Sequence, residues 1–377
     1  MTSRPLRVLH GTYEIAGQGI MLVQALREAG CVAESLTYRI DWDGRRGDHF
    51  VDLDAHRTPV SRGLTMLDTF AKLAPRFDVF HFHFGTSFGE RLLDVPLLKA
   101  MGKRIVFHFH GCEVRRRAHM LEAHALSTCT ECDPFCRPKR QEWLRARTAK
   151  LADRVFFSTL DLAESVPGGR HLPLAIEAAR WEAAAAANPL RDPLRRDGVN
   201  GPVVIGHAPT NRLIKGTRHV VAAVEQLARE FPRVELRLIE RTPWAQMPEF
   251  LAGCDILVDQ LHMGWYGLLA IEGMAEARPV VAYLRDDFAG REPDLPVVSA
   301  TPAMLAGVLR ELVRDPARRI ERGALGPAFV RRVHDTRVVG ARLLAEYRQM
   351  GAGFGAGAGS RAEAGPGAAS DAGGART

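Results

Sequence analysis

Short β-like runs alternate with helix-like runs along most of this chain. In the first half, "LRVLH", "VFHFHF" and "RIVFHFH" are apolar runs of strand length, separated by helix-like segments such as "GIMLVQALREAG". The same alternation restarts after residue 200 with "PVVIGH", "DILVDQ" and "PVVAYL". Strands that alternate with helices favour α/β layers with parallel sheets. Because 377 residues exceed the usual size of one domain, the pattern predicts two Rossmann-like, doubly wound domains.

The alternation also sets the expected domain boundaries. Residues 1–173 form the first domain and residues 201–325 the second, and helices follow over 326–350. Between the domains, residues 174–200 are rich in Ala, Pro, Asp and Gly, which predicts an interdomain linker. Residues 351–377 are rich in Gly, Ala and Ser and predict a disordered C-terminal tail. The cleft between the two domains is the expected functional site.

Composition and charge narrow the classes of partner. The chain is 46% hydrophobic and 25% charged, and no apolar run approaches the roughly 20 residues of a membrane span. Its N-terminus passes into a strand-like run without a signal-peptide pattern, which predicts a cytoplasmic location. The net charge is +7, but the basic residues do not form the stripe with interleaved aromatic residues that is typical of single-stranded nucleic-acid binding. No nucleic-acid partner is therefore expected. Peripheral contact with lipid or a lipid-linked acceptor stays open, beside a merely solvated basic surface.

Two Gly-containing loops between a strand and a helix are candidate phosphate sites, because free backbone N–H groups and a helix N-terminus favour anions. The loop of the first strand contains Gly17 and Gly19 but no clean G-x-G-x-x-G, which argues against a dehydrogenase. The loop "NRLIKG" follows the first strand of the second half. Its cations, Arg212 and Lys215, can neutralise a diphosphate and stabilise a departing one. A solubilising loop is the alternative.

A third candidate site lies in "GWYGLLAIEGMAEARPVVAY". Gly267 and Leu268 precede or begin a helix whose N–H groups can contact phosphate, and Glu272 follows about one turn later. A carboxylate there can accept hydrogen bonds from the two hydroxyls of a ribose. Because an unpaired buried Glu is costly, Glu272 in this apolar run points to a ligand. The alternative is a Glu that faces solvent or pairs with an Arg.

The segments "NRLIKG" and "GWYGLLAIEGMAEARPVVAY", in this order and about fifty residues apart, resemble the donor-binding half of GT-B glycosyltransferases. The likeness is strongest to the family 4 group of retaining, nucleotide-sugar-dependent enzymes and extends to about Tyr347. It implies the GT-B fold, with two domains facing a cleft, the donor on the second and the acceptor on the first. It also implies that Arg212 and Lys215 hold the donor diphosphate and Glu272 the ribose. Backbone groups at Gly267 and Leu268 would contact phosphates, with His110 beside the donor sugar.

The chain departs from the family pattern at two places. The family carries a Glu-x7-Glu motif, but the residue eight positions before Glu272 is Gly264, so the first carboxylate is missing. The spacing from Arg212 to Lys215 is also two residues shorter than the common pattern. These differences indicate a divergent branch, in which the donor sugar and the stereochemical outcome stay open.

Four histidines lie near the ends of two predicted strands. Strand alternation places His81 and His83 on one face of the first strand, and His108 and His110 on one face of the second. They fit either a metal site or, more simply, hydrogen-bonded core and cleft histidines. His110, directly before Gly111, is the candidate catalytic residue, as a hydrogen-bond partner of the sugar or a proton shuttle. Glu113 is the second catalytic candidate.

Four cysteines cluster in one region of the first domain, an insertion over residues 112–136. Tetrahedral zinc favours such spacings in a cytoplasmic chain, so a structural zinc site is one interpretation, and free thiols or a redox pair are the others. The candidate ligands are Cys112, Cys129, Cys132 and Cys136.

The sequence therefore predicts a glycosyltransferase that moves a sugar from a nucleotide diphosphate sugar, preferably UDP-linked, to an unidentified acceptor. The family resemblance implies retention of configuration. The acceptor can be a small molecule, a polysaccharide or lipid-linked. The acidic pairs Asp41/Asp43 and Asp52/Asp54 lie away from the donor loops, so no catalytic metal is expected. The rival functions are a sugar-nucleotide epimerase, a phosphorylase, or an inactive nucleotide-sugar-binding partner.

Overall fold

The first half of the chain forms a parallel sheet of seven strands in the order β3-β2-β1-β4-β5-β6-β7. The computed structural model describes residues 4–39, 44–131, 136–187, 196–288 and 290–351. The three central strands, β1, β4 and β5, are almost fully buried because helices cover both faces, as the continuous apolar runs predict. Their bounds are β1 Arg7–Thr12, β2 Val32–Thr37, β3 His49–Phe50, β4 Val79–His83, β5 Arg104–Phe109, β6 Arg154–Phe157 and β7 Arg170–His171.

The helices of this half follow the strands as crossover connections. Helix α2 shows a local start signal, since Thr58 Oγ1 accepts a hydrogen bond from the Ser61 N–H and Pro59 occupies the first turn. Helix α4 lies within the cysteine-rich insertion, residues 112–136, and helix α5 follows the insertion. The bounds are α1 Gln18–Glu28, α2 Pro59–Leu73, α3 Val95–Ala100, α4 Arg117–Ala123 and α5 Pro138–Leu151.

The second half forms a parallel sheet of five strands in the order β12-β11-β10-β8-β9. Its strands are β8 Val203–His207, β9 Val234–Leu238, β10 Ile256–Val258, β11 Val280–Ala282 and β12 Val298–Ser299. Its helices are α7 Arg212–Lys215, α8 Thr217–Ala228, α9 Met247–Ala252, α10 Leu268–Ala275, α11 Leu305–Arg314 and α12 Pro316–Ala324. The fold class is therefore α/β with two doubly wound sheets, as predicted. Among the described residues, no helix combines the length and apolar character that a bilayer span requires.

The chain crosses between the two halves twice. The segment expected as a linker begins with helix α6, Ala178–Ala187, whose Trp181 is buried in the core of the second half. After helix α13, Gly326–Val333, helix α14, Thr336–Gln349, returns to the first half and packs on α1. Tyr347 of α14 is fully buried there. The predicted disordered tail lies outside the described residues, apart from Gly351.

The close approach of α14 to α1 depends on Gly340. A Cβ atom on Gly340 would lie 2.5 Å from the Cβ of Ala25, whereas a Cβ on Gly307 of α11 would meet no atom within 4 Å. Alanine is favoured over glycine inside a helix by up to about 1 kcal/mol. We therefore expect Gly307→Ala to raise the free energy of unfolding, and Gly340→Ala to lower it by about 1–3 kcal/mol through overpacking. Urea unfolding of both variants measures this, and equal effects would contradict the packing account.

Candidate active-site cleft

The carboxyl ends of strands β8 and β9 face the first domain across a cavity of about 120 Å³. In doubly wound sheets this edge is the usual ligand-binding position. Residues from both halves of the chain form its wall, since Ala16 and Arg45 come from the first half. Three residues predicted to bind a donor, Lys215, Leu268 and Glu272, line this one cavity. The structure thus brings together two sequence segments that are about fifty residues apart.

Lys215 lies at the end of the short helix α7 and is half-buried. Asn211 fixes the start of this helix, because its side chain accepts hydrogen bonds from two backbone N–H groups. The Lys215 Nζ contacts Asp259 Oδ1 at 3.2 Å and donates to Gln260 Oε1. A Cβ on Gly267 would lie 3.2 Å from the same Nζ. The Lys215 ammonium group therefore lies next to the N-terminus of α10, so the two groups can contact the same anion.

A carboxylate of the chain occupies the position between these two groups. Gly267 is the N-cap of α10, and its N–H donates to Asp259 Oδ2 at 2.5 Å. The other oxygen of Asp259 pairs with Lys215. Asp259 is only 1% exposed, so both contacts are shielded from water. Asp259 thus marks an anion site at the N-terminus of α10, although its own charge offsets that of Lys215.

Arg212, the second predicted cation, lies at the surface. Its Nε and Nη2 donate to the two carboxylate oxygens of Glu240 at 3.0 and 2.5 Å. Glu240 lines the cavity, but Arg212 does not. An anion bound in the cavity would therefore meet Lys215 first, and Arg212 only after it leaves Glu240.

Glu272 is buried, which excludes the solvent-facing alternative. Burial raises the pKa of its carboxyl to about 8, although Arg45 and a hydrogen bond with Trp244 act in the opposite direction. The Arg45 guanidinium lies over the Trp244 ring, 4.8 Å from its centroid. Glu272 therefore lines the cavity as a protonated carboxyl at neutral pH, beside an arginine from the other domain.

The glycines of the first loop do not leave an open phosphate cradle. The N–H groups of Gly19 and Ile20, in the first turn of α1, donate to Glu14 at 3.1 and 3.2 Å. Gly17 has a φ of 77°, and a Cβ there would lie 1.8 Å from Arg45 Nη1. Gly17 is thus required for the approach of Arg45 to the cavity. The Glu14 carboxylate accepts the hydrogen bonds of the N–H groups at the N-terminus of α1.

The predicted histidines form one buried hydrogen-bond network, which supports the simpler of the two interpretations. His83 lies 3.0 Å from both His10 and His110, measured between ring nitrogens. Burial lowers the pKa of all five rings, so they are neutral. Two triplets of ring nitrogens are close enough to share a metal ion, but each triplet is already hydrogen-bonded within the chain. The members are His10, His81, His83, His108, His110, Ser158 and Tyr347.

His110 lies directly after β5 with both ring nitrogens engaged. Nε2 shares a hydrogen bond with His83, and Nδ1 shares one of 2.7 Å with Ser158 Oγ. Its backbone N–H donates to Glu113 Oε1 at 2.5 Å. The second oxygen of Glu113 is buried and has no hydrogen-bond partner among the described residues. Burial raises the pKa of the Glu113 carboxyl.

Gly264, the position at which the family that the sequence resembles carries its first Glu, lies against a buried arginine. Gly264 has a φ of +78°, and a Cβ there would lie 2.6 Å from Arg285 Cδ. Arg285 is buried, donates to Glu164 of the first domain and to Asp287, and lies over the Phe288 ring. An arginine that ties the two domains therefore fills the space beside position 264.

The structure describes three of the four cysteines predicted as zinc ligands. Cys112, Cys129 and Cys136 all line a second cavity, next to Glu113. Their sulfur atoms do not form a metal-sized cluster within the described part of the chain, and Cys132 lies outside it. A structural zinc site therefore stays a prediction.

The acidic pairs stay away from the donor cavity where they are described. Asp52 accepts hydrogen bonds from the N–H groups of Asp54 and Ala55 in its own turn. Asp54 pairs with Arg39 at 3.2 Å. Asp41 and Asp43 lie outside the described residues.

Sequence reasoning missed Asp259, Arg45 and Glu14. Asp259 had a usable signal, because it directly follows the strand-like run "DILV" and so lies at the binding edge of the sheet. Glu14 had a weaker one, as the carboxylate inside a Gly-containing loop before a helix. Arg45 had none, since its loop meets the cavity only through the arrangement of the two domains.

No protein-family model and no curated protein sequence matches this chain. Solved structures do. Sucrose-phosphate synthase from Thermosynechococcus elongatus matches at a TM-score of 0.63 with 16% identity, over 93% of this chain and all of that one. A UDP-forming α,α-trehalose-phosphate synthase from Burkholderia xenovorans matches at 0.57 with 18% identity, over 93% and 100%. The Anabaena protein HepE in complex with UDP-glucose matches at 0.58 with 12% identity, over 92% and 100%. These likenesses show the fold.

Glu272 gives a prediction for the pH dependence of stability. Below about pH 4.5 the carboxyl is protonated in both states, and between that value and about 8 only the unfolded state ionises. Stability contributed by this group is therefore lost as pH rises through that range. From pH 5 to 8, we expect the free energy of unfolding to fall by at least about 1 kcal/mol less in Glu272→Gln than in the wild type. Urea unfolding at several pH values measures this difference. The exposed Glu225→Gln should keep the wild-type slope, and an unchanged slope in Glu272→Gln would contradict the burial account.

Gly264 gives a second prediction, with Gly30 as its control. Both glycines have positive φ, but a Cβ on Gly30 would meet no atom within 4 Å. Gly30→Ala should therefore show only backbone strain, about 1–2 kcal/mol. Gly264→Ala should lose about 1–3 kcal/mol more because Arg285 must move. Thermal unfolding compares the two, and equal losses would show that Arg285 does not restrict this position.

Proposed function

Because this chain has the GT-B fold, we propose that it is a glycosyltransferase that uses a nucleotide diphosphate sugar, preferably UDP-linked. The observation that carries the proposal is the convergence of Lys215, the N-terminus of α10 and buried Glu272 on one cavity of the second domain. In the proposal the donor binds there, and the acceptor binds to the first domain across the cleft. Cytoplasmic location and retention of configuration belong to the same proposal.

In this proposal the diphosphate takes the position now held by Asp259. Phosphate oxygens would accept hydrogen bonds from the Gly267 N–H and the Lys215 ammonium, which both contact Asp259 in the described structure. A helix N-terminus and an ammonium group stabilise negative charge best where water is excluded. The charge on the diphosphate grows as its bond to the sugar breaks. These contacts would therefore favour departure of the leaving group more than they favour the bound donor.

Glu272 and Arg45 would hold the rest of the nucleotide. The Glu272 carboxyl lies one turn into α10, which suits the two hydroxyls of a ribose beside a phosphate at the helix start. Arg45 reaches the same cavity from the first domain. Donor binding would thus tie the domains together, and closure would exclude water before transfer.

At the sugar end, we assign Glu113 rather than His110 to proton transfer. His110 has both ring nitrogens bonded inside the protein and contributes its backbone N–H to Glu113. The free oxygen of Glu113 can accept the proton of the acceptor hydroxyl as that oxygen bonds to the sugar. His110 would act by fixing the position of Glu113.

UDP preference has support from two similar structures. HepE was crystallised with UDP-glucose, and the trehalose-phosphate synthase is described as UDP-forming. The rival enzyme functions differ in their products, since an epimerase yields an isomer and a phosphorylase a sugar phosphate. An inactive nucleotide-sugar-binding partner is favoured by Gly264, where the family carboxylate is absent. Turnover of a UDP-sugar in the presence of an acceptor extract, with product identification, separates these functions.

Lys215 provides the direct test of the donor site. UDP should raise the melting temperature of the wild type, because it binds only the folded state. Lys215→Ala should weaken UDP binding by about 10–100-fold, since a charge-assisted hydrogen bond is worth about 1.5–3 kcal/mol. Lys72→Ala is the matched control, because Lys72 is an exposed lysine that pairs with Asp68.

Titration calorimetry with UDP, GDP and NAD completes the test. A response to GDP alone would change the donor but keep the enzyme class. Wild-type protein that binds none of the nucleotides would overturn the proposed function.

A further inference from the structure

We propose that the cysteine-lined cavity of the first domain binds an anionic group of the acceptor, a phosphate or a carboxylate. The assignment of this ligand to the acceptor rests on the proposed function. The cavity has a volume of about 250 Å³ and lies between α4, α5 and the donor loop. Its lining residues include four arginines: Arg115, Arg117, Arg137 and Arg140.

The cavity is next to the groups assigned to catalysis. Glu113 lines it from the first domain, and Ile214, between Arg212 and Lys215 in the donor loop, lines it from the second. A molecule held there would therefore contact both the proposed proton-transfer residue, Glu113, and the loop proposed to bind the donor. This position is suited to an acceptor whose hydroxyl must reach Glu113 and the donor sugar together.

Arg115 supplies the first argument for an anion. It is 1% exposed, and its Nη1 donates to Asp161, which is 0% exposed. Its Nε and Nη2 are buried without a hydrogen-bond partner among the described residues. A buried donor without an acceptor costs about 1–3 kcal/mol, and more when it is charged. An anion in the cavity supplies the acceptor that these donors lack.

The remaining arginines make the cavity wall positive. The described residues provide no hydrogen-bond or ion-pair partner for the side chains of Arg117 and Arg140, and Arg137 donates only to the Cys136 carbonyl at 3.4 Å. Among the described residues that line the cavity, Glu113 is the single carboxylate. Burial raises the pKa of the Glu113 carboxyl. Guanidinium groups bind phosphate and carboxylate bidentately, so the wall favours these groups over a neutral sugar.

Two sources of the anion fit this wall, a soluble sugar phosphate and a lipid headgroup. Arg140 also lines two neighbouring cavities of about 640 and 550 Å³. Both share Met66 with an apolar groove of about 490 Å³ formed by α2 and α3. Leu67 and Leu93 of this groove are 62% and 68% exposed. The groove can accept the chain of a lipid whose headgroup reaches Arg140.

The test uses the full chain and a double variant, Arg117→Gln with Arg140→Gln, because both side chains are exposed. Arg229→Gln is the control, since Arg229 is an exposed arginine at the end of α8 and outside every cavity described above. Titration calorimetry with inorganic phosphate and with glucose 6-phosphate, at constant ionic strength, measures binding. We expect about tenfold weaker binding in the double variant, the wild-type value in the control, and no binding of free glucose.

The source of the anion is separated by vesicles. If the wild type sediments with phosphatidylcholine vesicles that contain phosphatidic acid and the double variant does not, the anion is a lipid headgroup. Binding of glucose 6-phosphate without sedimentation assigns a soluble phosphate.

Three results would overturn the proposal. One is equal phosphate binding in the wild type and the double variant, and another is equal binding of glucose and glucose 6-phosphate. The third is no phosphate binding together with a melting temperature that a chelator lowers, which would assign the cavity to a metal on its cysteines. UDP binding, measured on the same proteins, should be unchanged in the double variant. Phosphate binding without UDP binding would keep the anion site and overturn only the donor function.

Discussion

A buried chain of neutral imidazoles ties the C-terminal helix to the first sheet and fixes the position of the candidate catalytic loop. Tyr347 of α14 shares hydrogen bonds with His81 and His10, and the chain continues through His83 to His110. Buried polar groups are costly to leave unpaired, so the hydrogen bonds among these rings favour a single arrangement. Loss of α14 from the first domain would remove the hydrogen bond of His81 to Tyr347 and leave His10 bonded only to His83. The second crossover of the chain therefore supports the site as well as the fold.

A second constraint is that helix N-termini attract anions whether or not a ligand is present. Glu14 occupies the start of α1, and Asp259 occupies the start of α10. The two positions differ in their surroundings. Only the α10 position has an ammonium group, Lys215, beside it and a cavity in front of it. This difference explains why the proposed diphosphate site is in the second domain although both domains begin with a Gly-containing loop.

The same residues show how far the site could be predicted. Lys215 and Glu272 were identifiable because a scarce Lys in a loop and a Glu in an apolar run are locally unusual. Arg212 was equally visible, but it pairs with Glu240, and no local pattern reports a partner 28 residues away. Burial of Glu272 was expected from its apolar neighbours, whereas its contact with Arg45 required the two domains to be placed together.

The sequence by itself determined the α/β layers, the two doubly wound domains and the loops at the carboxyl ends of the strands. Periodicity and turn residues act over a few positions, so one sequence carries them completely. Only the tertiary structure decided that Asp259 lies between Lys215 and Gly267, that Arg285 fills the space beside Gly264, and that four arginines in and after the insertion share one cavity. These are contacts between side chains distant in sequence, and they depend on how the domains and crossover helices pack.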